Sequence, residues 1–403
     1  MEEKIRINKA DHLLFILFSC WLLVDMLNGF LLRSDFPISV SQIYKSVVAL
    51  LVIIRCAKNS QIRNVLFSSI LYLSFYSSIV ILNGEEVVGS LVLLSKLITS
   101  ILFFVYFSII REINYDFFKN KAFLVLKWSF IIFFCNLIAG YLGYGFSSYS
   151  VSDDEGFGSR GFFYAINELS GVLAVVYAWA FYYCKTHFSF PKYLLCSMLL
   201  FYMAYTLSTK SGIVASAIFF LYITYHYGNK KQKIMIVGLI FVLVVSAVVI
   251  VQILLSSDLP LFQRINFALE HNGVLDALTS NRLNFWEEES KEFVNSNFLS
   301  KLFGLGGNKT VEMDPFDALL NCGILGLGVL LYFYFKGIIK PLRSKFKNIG
   351  YNKVIFISNC LLILMSIGGG HIMFSSMAGM LIALSNALLY NVSCKLQVKK
   401  IKL

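Results

Sequence analysis

Apolar residues in this chain come in runs of about twenty, separated by short polar breaks that hold most of the charge. An α-helix rises about 1.5 Å per residue, so such a run matches the roughly 30 Å hydrocarbon core of a bilayer. The runs fall at residues 13–32, 36–54, 65–82, 91–110, 123–142, 161–184, 193–208, 212–227, 234–255, 316–335, 354–367 and 371–390. The pattern predicts an all-α, polytopic integral membrane protein of about twelve transmembrane helices. The short alternating segments of a transmembrane barrel are absent. Residues 13–32 are long enough to span and carry no small-residue cleavage site, so they read as a first span, not a signal peptide.

One interval breaks the pattern. Residues 256–315 form a long polar stretch rich in Arg, Glu, Asp and Asn, interleaved with Trp and Phe. Loops beyond roughly 12–15 residues are usually functional or disordered, and the aromatics give this one apolar surface with which to fold. The organisation that follows is nine helices over 1–255 with a Gly, Ser and acid-rich loop near 143–160. A large loop with amphipathic helices over 256–315 comes next, then three helices and a basic tail over 316–403.

Composition agrees with the membrane reading. The chain of 403 residues is 58% hydrophobic and 14% charged, with a mean hydropathy of +0.72. Soluble domains carry about 25% charged residues. Charge placement then sets orientation. With the N-terminus inside, the cytoplasmic breaks hold 24 of the 35 Lys and Arg, from Lys4, Arg6 and Lys9 to Lys395, Lys399, Lys400 and Lys402. Only Arg33, Arg160, Lys210, Arg264, Arg282, Lys291, Lys301 and Lys309 fall on the other side, while Lys45, Lys96 and Lys127 lie within runs. The positive-inside rule therefore places both termini in the cytoplasm and the long loop on the opposite face. The net charge of +12 is topological, and the basic tail is explained by anionic lipid, so no nucleic-acid partner is expected. ATP and nucleotide sugars are not available on that opposite face. Chemistry there needs a pre-activated, membrane-delivered substrate.

The eight cysteines show no metal-binding spacing and read as small apolar packing residues, and the five histidines are scattered. No metal or cofactor is expected. The candidate chemistry is instead cationic and acidic. Arg160 ends the first loop in the run GFGSRGFFYAINELSG, where glycines at 156, 158 and 161 permit close approach by a ligand. Arginine suits bidentate capture of phosphate. Asn167 and Glu168 follow two turns deeper, where a carboxylate is costly unless paired or functional. The structural alternative is an interfacial arginine that snorkels, with Glu168 as its partner.

In the large loop, Ser280 or Asn281 can cap a helix running to about Asn295. Leu283, Trp286 and Phe293 share one face of it, which predicts a helix lying on the membrane surface. Arg282 stands in its first turn, where a cation opposes the helix dipole. Glu287, Glu288, Glu289 and Glu292 read as a solvated face. Arg264 lies on a similar short piece, LFQRINFALEH, whose His271 reads as a surface residue. Beyond it, GLGGNKTVEMDPFDALLNCGILGLG places Glu312, Asp314 and Asp317 at the outer mouth of a Gly-rich run. Pro315 suits the first turn of a helix, with Asp314 as its N-cap and Asp317 favouring the helix dipole. Glu312 precedes the helix and has no such structural role, so it is the better candidate base. Three short turns share this face: LSTKSG with Lys210, GGGH at 368–371, and residues 83–89 with Glu85 and Glu86. Within the first four runs, Asp25 is expected to pair structurally with Lys45 or Lys96, and Lys127 to snorkel.

These parts, in this order, resemble the Wzy-type O-antigen polymerases and, more distantly, the O-antigen ligases. The first-loop likeness lies in Arg160, Gly161, Phe162, Phe163, Asn167 and Glu168, with Arg160 to Gly171 similar to an Arg-x10-Gly pattern. No such spacing runs from Arg264 or Arg282. The second-loop likeness lies in NRLNFW at 281–286, the GLGG turn at 304–307, Glu312 with Asp314, and Gly323 to Gly326. The ligases usually carry a His where Glu312 stands, which favours a polymerase.

The resemblance implies a bacterial inner-membrane glycosyltransferase acting on undecaprenyl-diphosphate-linked oligosaccharides. It would move the growing chain from its lipid carrier onto a new lipid-linked unit, with a chain-length regulator in the same membrane as a further partner. The departing diphosphate needs preorganised cations. Arg160 and Arg282 are the expected pair, and Arg264 and Lys210 are auxiliaries. Glu312 is the expected general base. Asn167, Glu168, Asp314 and Trp286 are expected to bind substrate, and Phe285 and Phe162 to stack on sugar or lipid. The competing readings are an O-antigen ligase and a lipid-linked oligosaccharide flippase. A flippase should show related halves and charged residues along a central cavity, and it needs no long outer loop.

Overall fold

The computed structural model describes residues 6–34, 39–150, 156–255, 282–307, 309–342 and 350–389. Each predicted apolar run contains a helix there, although 161–165 and 371–375 are not helical. The first run is two helices, α1 (Lys9–Ser19) and α2 (Trp21–Arg33), bent by 45° at Cys20. A capping box between Asn8 and Asp11 fixes the start of α1. Then follow α3 (Val40–Cys56), α4 (Ser60–Leu82), α5 (Val87–Ile113) and α6 (Tyr115–Tyr141). Four more come before the large loop: α7 (Ile166–His187), α8 (Phe190–Thr206), α9 (Lys210–Tyr227) and α10 (Lys230–Leu255). The large loop supplies α11 (Arg282–Asn295) and α12 (Phe298–Phe303), and the chain continues with α13 (Asp314–Leu342), α14 (Asn352–Gly369) and α15 (Ser376–Ala387).

Five of these helices, α4, α5, α6, α13 and α14, are long and apolar enough to cross a membrane, or six counting the bent α1–α2 pair as one span. The protein is a helical membrane protein. Exposed large apolar side chains such as Phe67, Ile70 and Phe75 on α4 sit on the outside of the bundle, as a bilayer solvent allows.

The centre of the bundle is α15, buried along its whole length against α5 and α7. Small residues allow this. Gly379 sits directly over Ser100 of α5, and Gly171 of α7 faces Ile372 and Ala378, so a Cβ at either glycine would collide. At 12 residues, α15 is about 18 Å long and cannot span by itself. The non-helical segment before it is therefore held inside protein, with Ile372, Met373, Phe374 and Ser375 all buried. A second interruption lies within α13, against Leu302 and Gly304. Gly323 of α13 has φ 65° and ψ −172°, so α13 is two helical pieces joined at a break.

One element departs from the all-α expectation. The loop between α6 and α7 forms an antiparallel hairpin of β1 (Phe146–Ser150) and β2 (Gly156–Gly161), with an irregularity between Phe146 and Ser147. FSSYS mixes two aromatics with serines, and glycines in GFGSRG let the strands approach closely. Gly145 lies against the carbonyl of Gly161, where a side chain would not fit.

Candidate functional site

The large loop folds against the start of α13. Leu283, Trp286 and Phe293 do share a face of α11, and they pack with Leu305, Val311, Met313, Phe316 and Leu320. The Trp286 ring lies 4.3 Å from that of Phe316. The face expected on the membrane surface is thus covered by protein, because α13 offers it a larger apolar partner. Trp286 is accounted for by this packing, whereas Phe285 is exposed. The GLGG turn docks on the α4–α5 connection. Gly307 N–H donates to Ser90 Oγ (2.9 Å), and Asn83 Nδ2 donates to Leu305 O (3.0 Å). Lys309 pairs with Glu292 and with Glu85 (3.6 Å), so one member of the acidic run does more than solvate a helix. Burial opposes the charge on Lys309, but the Glu292 hydrogen bond and the two carboxylates outweigh it and raise its pKa.

Packing α11 onto α13 brings Arg282 to Glu312. Arg282 Nη2 lies 3.0 Å from Glu312 Oε2, and its Nη1 donates to the carbonyl of Gly368. The guanidinium is 13% exposed and the carboxylate 50% exposed. Two residues chosen separately from sequence therefore form one ion pair, opening to the outside through the acid. Arg282 Nε is buried without a hydrogen-bond partner.

The segment 368–376 joins this pair to the rest of the molecule. Gly370, at φ 57°, packs beneath the Glu312 backbone. Asp314 Oδ2 accepts from the N–H groups of Ile372 (2.8 Å) and Met373 (2.7 Å). Ser375 Oγ donates to Glu168 Oε2 (2.6 Å), whose other oxygen lies 3.7 Å from Lys96 Nζ. Lys45 Nζ donates to Ser376 Oγ (3.1 Å) and pairs with Asp25 (2.6 Å), as expected for a structural ion pair. The sequence marked 368–371 only as a tight turn. A triple glycine followed by His and a Ser cap before a short helix was the available signal.

One expectation and one alternative reading change here. Asp314 does not serve as the N-cap of its own helix; it is the first helical residue and brackets the 370–373 turn, since a buried carboxylate gains more from two fixed amides than from an exposed helix end. Glu168 partners Ser375 and Lys96, not Arg160. Asp317 closes the loop in front of it by accepting from Val311 N–H (2.6 Å).

Arg160 occupies a different setting at the base of the hairpin. Its guanidinium lies over the rings of Phe146 (5.3 Å) and Tyr164 (5.8 Å), and its Nη1 donates to Tyr164 O. Asn136 fixes the backbone there, donating to Arg160 O (2.9 Å) and accepting from Phe162 N–H (2.8 Å). Burial lowers the Arg160 pKa from the usual guanidinium value, with Tyr164 opposing. The hairpin rests on the LSTKSG turn, where Ser148 Oγ donates to Leu207 O (2.8 Å). Lys210, in the same LSTKSG segment, opens α9 behind the Thr209 cap, and Asn167 is half-buried in the first turn of α7. Among the described residues, no hydrogen bond or ion pair joins Arg160 to Arg282 or Glu312. Arg264, His271, Ser280 and Asn281 lie outside the described residues.

Among the described residues, the non-glycine positions with positive φ are Ser208 (57°), Glu312 (59°) and His371 (56°). All three sit in the turns just described. Such conformations cost about 1–3 kcal/mol each and cluster at functional sites. The sequence matches no protein-family model, and it matches no curated protein. The functional reading rests on the geometry.

Proposed function

We propose that the chain is a polymerase of undecaprenyl-diphosphate-linked oligosaccharide repeat units. In this reading it has twelve spans and cytoplasmic termini in a bacterial inner membrane, and it works on the periplasmic face. The observation that supports it is the Arg282–Glu312 pair: a mostly buried cation and a half-exposed acid at 3.0 Å, on the face that carries both unequal loops.

A pair so arranged has to open in order to act. A diphosphate oxygen competes with Glu312 for the guanidinium fork and replaces it on Arg282. That exchange frees the Glu312 carboxylate as a base beside the bound leaving group. Glu312 takes the proton of the acceptor hydroxyl, and the hydroxyl oxygen forms the new bond to the anomeric carbon of the growing chain. The anomeric carbon–oxygen bond to the diphosphate breaks, and its electron pair leaves with the undecaprenyl diphosphate. Arg282, with Arg160 as the second cation and Lys210 and Arg264 as auxiliaries, stabilises the charge that develops. Glu312 is favoured over Asp314 as base because Asp314 is fully buried and engaged by two amides.

The test is complementation of a gene deletion, read as the surface-polysaccharide ladder. The deletion strain is expected to show core plus a single repeat unit, and Arg282→Ala, Glu312→Ala and Arg160→Ala to fail to restore the ladder at normal expression. A deletion strain lacking even the single unit would point to a ligase or flippase. Full ladders from all three variants would remove these residues from the site.

A further inference from the structure

The apolar face of α11 is covered by α13, yet another part of the large loop is left apolar and bare. Between Glu292 and Lys309 the only charged side chain is Lys301. Val294, Phe298 and Leu299 are 64%, 72% and 52% exposed. They stand at the corner where α11 gives way to α12. Contiguous apolar surface of this kind marks a contact with a partner or a membrane.

The neighbours of α12 set its depth. The Phe303 ring lies 5.7 Å from that of Phe75 and 5.6 Å from that of Tyr72, and Tyr72 Oη donates to Phe303 O (3.3 Å). Both partners belong to α4, which ends at Leu82 and is long and apolar enough to cross a membrane. At about 1.5 Å per residue, Phe75 and Tyr72 stand about 10 and 15 Å inside that end. The start of α12 is level with the end itself, where Asn83 Nδ2 donates to Ser300 Oγ (3.2 Å). The short helix therefore descends beside the last turns of α4.

The α13 side gives the same depth. Leu305 N–H donates to Leu320 O (2.7 Å), a Cβ on Gly304 would overlap the Asn321 carbonyl, and one on Gly323 would overlap that of Leu302. Counted from Asp314, these contacts lie about 9–14 Å along α13. Tyr72 Oη also donates to Cys322 O (2.7 Å), so α4 and the descending loop satisfy carbonyls at the Gly323 break. Non-helical backbone at membrane depth is tolerated where protein satisfies it in this way.

We propose that residues 298–307 form a re-entrant segment of the large loop, and that its exposed corner at Val294, Phe298 and Leu299 is embedded at the hydrocarbon boundary of the leaflet on the α4–α5 side. Lipid is the occupant because the corner continues the bilayer-facing surface of α4. Ile81 and Leu82 are exposed beside the Asn83 contact, and Phe75, itself exposed, carries the Phe303 ring. Lys301 is half-buried, and its long stem lets the ammonium reach the headgroups. Glu287 and Glu288, one to two turns before the corner, are exposed and stay in water. The inference rests on α4 crossing the membrane and not on the polymerase reading, so either can fail alone.

The experiment uses the full chain in nanodiscs. A carbene photolabel that partitions into lipid, mapped by mass spectrometry, should mark residues 294–303 as strongly as 67–82 of α4 and leave 287–292 nearly unmarked. Leu299→Cys and Glu288→Cys, both at exposed positions, then report access from water. A charged maleimide should modify Leu299→Cys at least about tenfold more slowly than Glu288→Cys, because the reactive thiolate is disfavoured in an apolar setting. The two rates should become equal once the chain is unfolded in SDS. Equally fast modification in nanodiscs overturns the proposal, since the corner then stands in water. Slow modification without photolabel at 294–303 overturns it too, since protein, from this chain or a second copy, then covers the corner.

Discussion

The α6–α7 loop and the large loop before α13 each present an arginine, in opposite circumstances. Arg160 is held by aromatic faces and a carbonyl, with no carboxylate within ion-pair distance among the described residues. Arg282 is held by Glu312 and a carbonyl. The first is a standing cation whose charge burial disfavours; the second is a compensated one that an incoming anion must compete for. On the proposed reaction this divides the labour. Arg160 can meet a lipid diphosphate directly, whereas engagement of Arg282 is coupled to release of the base. In that proposal a single arginine type, set in two loops by different neighbours, gives one part that recruits and one that switches.

The largest expected effects separate these roles. Arg282→Ala should lower the polymerisation rate by about 10²–10³-fold, as for loss of one preorganised charge-stabilising donor. Glu312→Gln should lower turnover by about 10²–10⁴-fold, as for loss of a general base. The same Glu312→Gln variant should bind undecaprenyl diphosphate more tightly than wild type, because Arg282 loses its internal competitor. No substitution beside Arg160 should show that opposed change in affinity and turnover. Titration of purified variants with the lipid diphosphate, alongside rate measurements, checks the contrast. Weaker binding in Glu312→Gln would mean that the pair does not act as a switch.

Next come the glycines that carry each arginine's surroundings. Gly370 (φ 57°) lies against the Glu312 backbone and Gly161 (φ 61°) against the Asn136 carbonyl, and at neither is there room for a Cβ. Gly370→Ala and Gly161→Ala should each cost about 1–3 kcal/mol of stability, measurable as a lower unfolding midpoint. Gly370→Ala should also depress activity at temperatures where the protein remains folded, because it displaces Glu312. Gly161→Ala should loosen only the hairpin. Equal activity losses at matched stability would erase the distinction between the loops.

The helices were legible in the sequence because span length and hydropathy are properties of contiguous residues, and the apolar face of α11 because 3.6-residue periodicity is local. Arg282 and Glu312 were legible as individuals, each awkward for its position. Their pairing was not. It depends on α11 folding back onto α13, and on the Gly368 carbonyl 86 residues away. Asp314 shows the same limit from the other side. The local rule for an acid before Pro predicts a cap, and tertiary amides from Ile372 and Met373 override it. The hairpin was hidden because five or six Ser, Gly and aromatic residues without strict alternation, inside a glycine-rich loop, do not distinguish a strand from a turn.

The smallest effect concerns how Arg160 is aimed. An exposed cation–π contact contributes about 0.5–1 kcal/mol, which converts to roughly two- to fivefold in rate if all of it is spent on positioning. Phe146→Leu keeps apolar bulk in β1 but removes the ring 5.3 Å from the guanidinium, and with it an edge contact to Tyr164. The Asn136 bonds to Arg160 O and Phe162 N–H remain, so the strand stays in place while the side chain gains freedom. The rate should fall by that small factor with little change in the unfolding midpoint. Combining Phe146→Leu with Arg160→Ala should then cost no more than Arg160→Ala alone, since the ring has nothing left to orient. Additive losses in the double variant would show that Phe146 acts on its own, and the aromatic setting of Arg160 would no longer explain why this loop manages without a carboxylate.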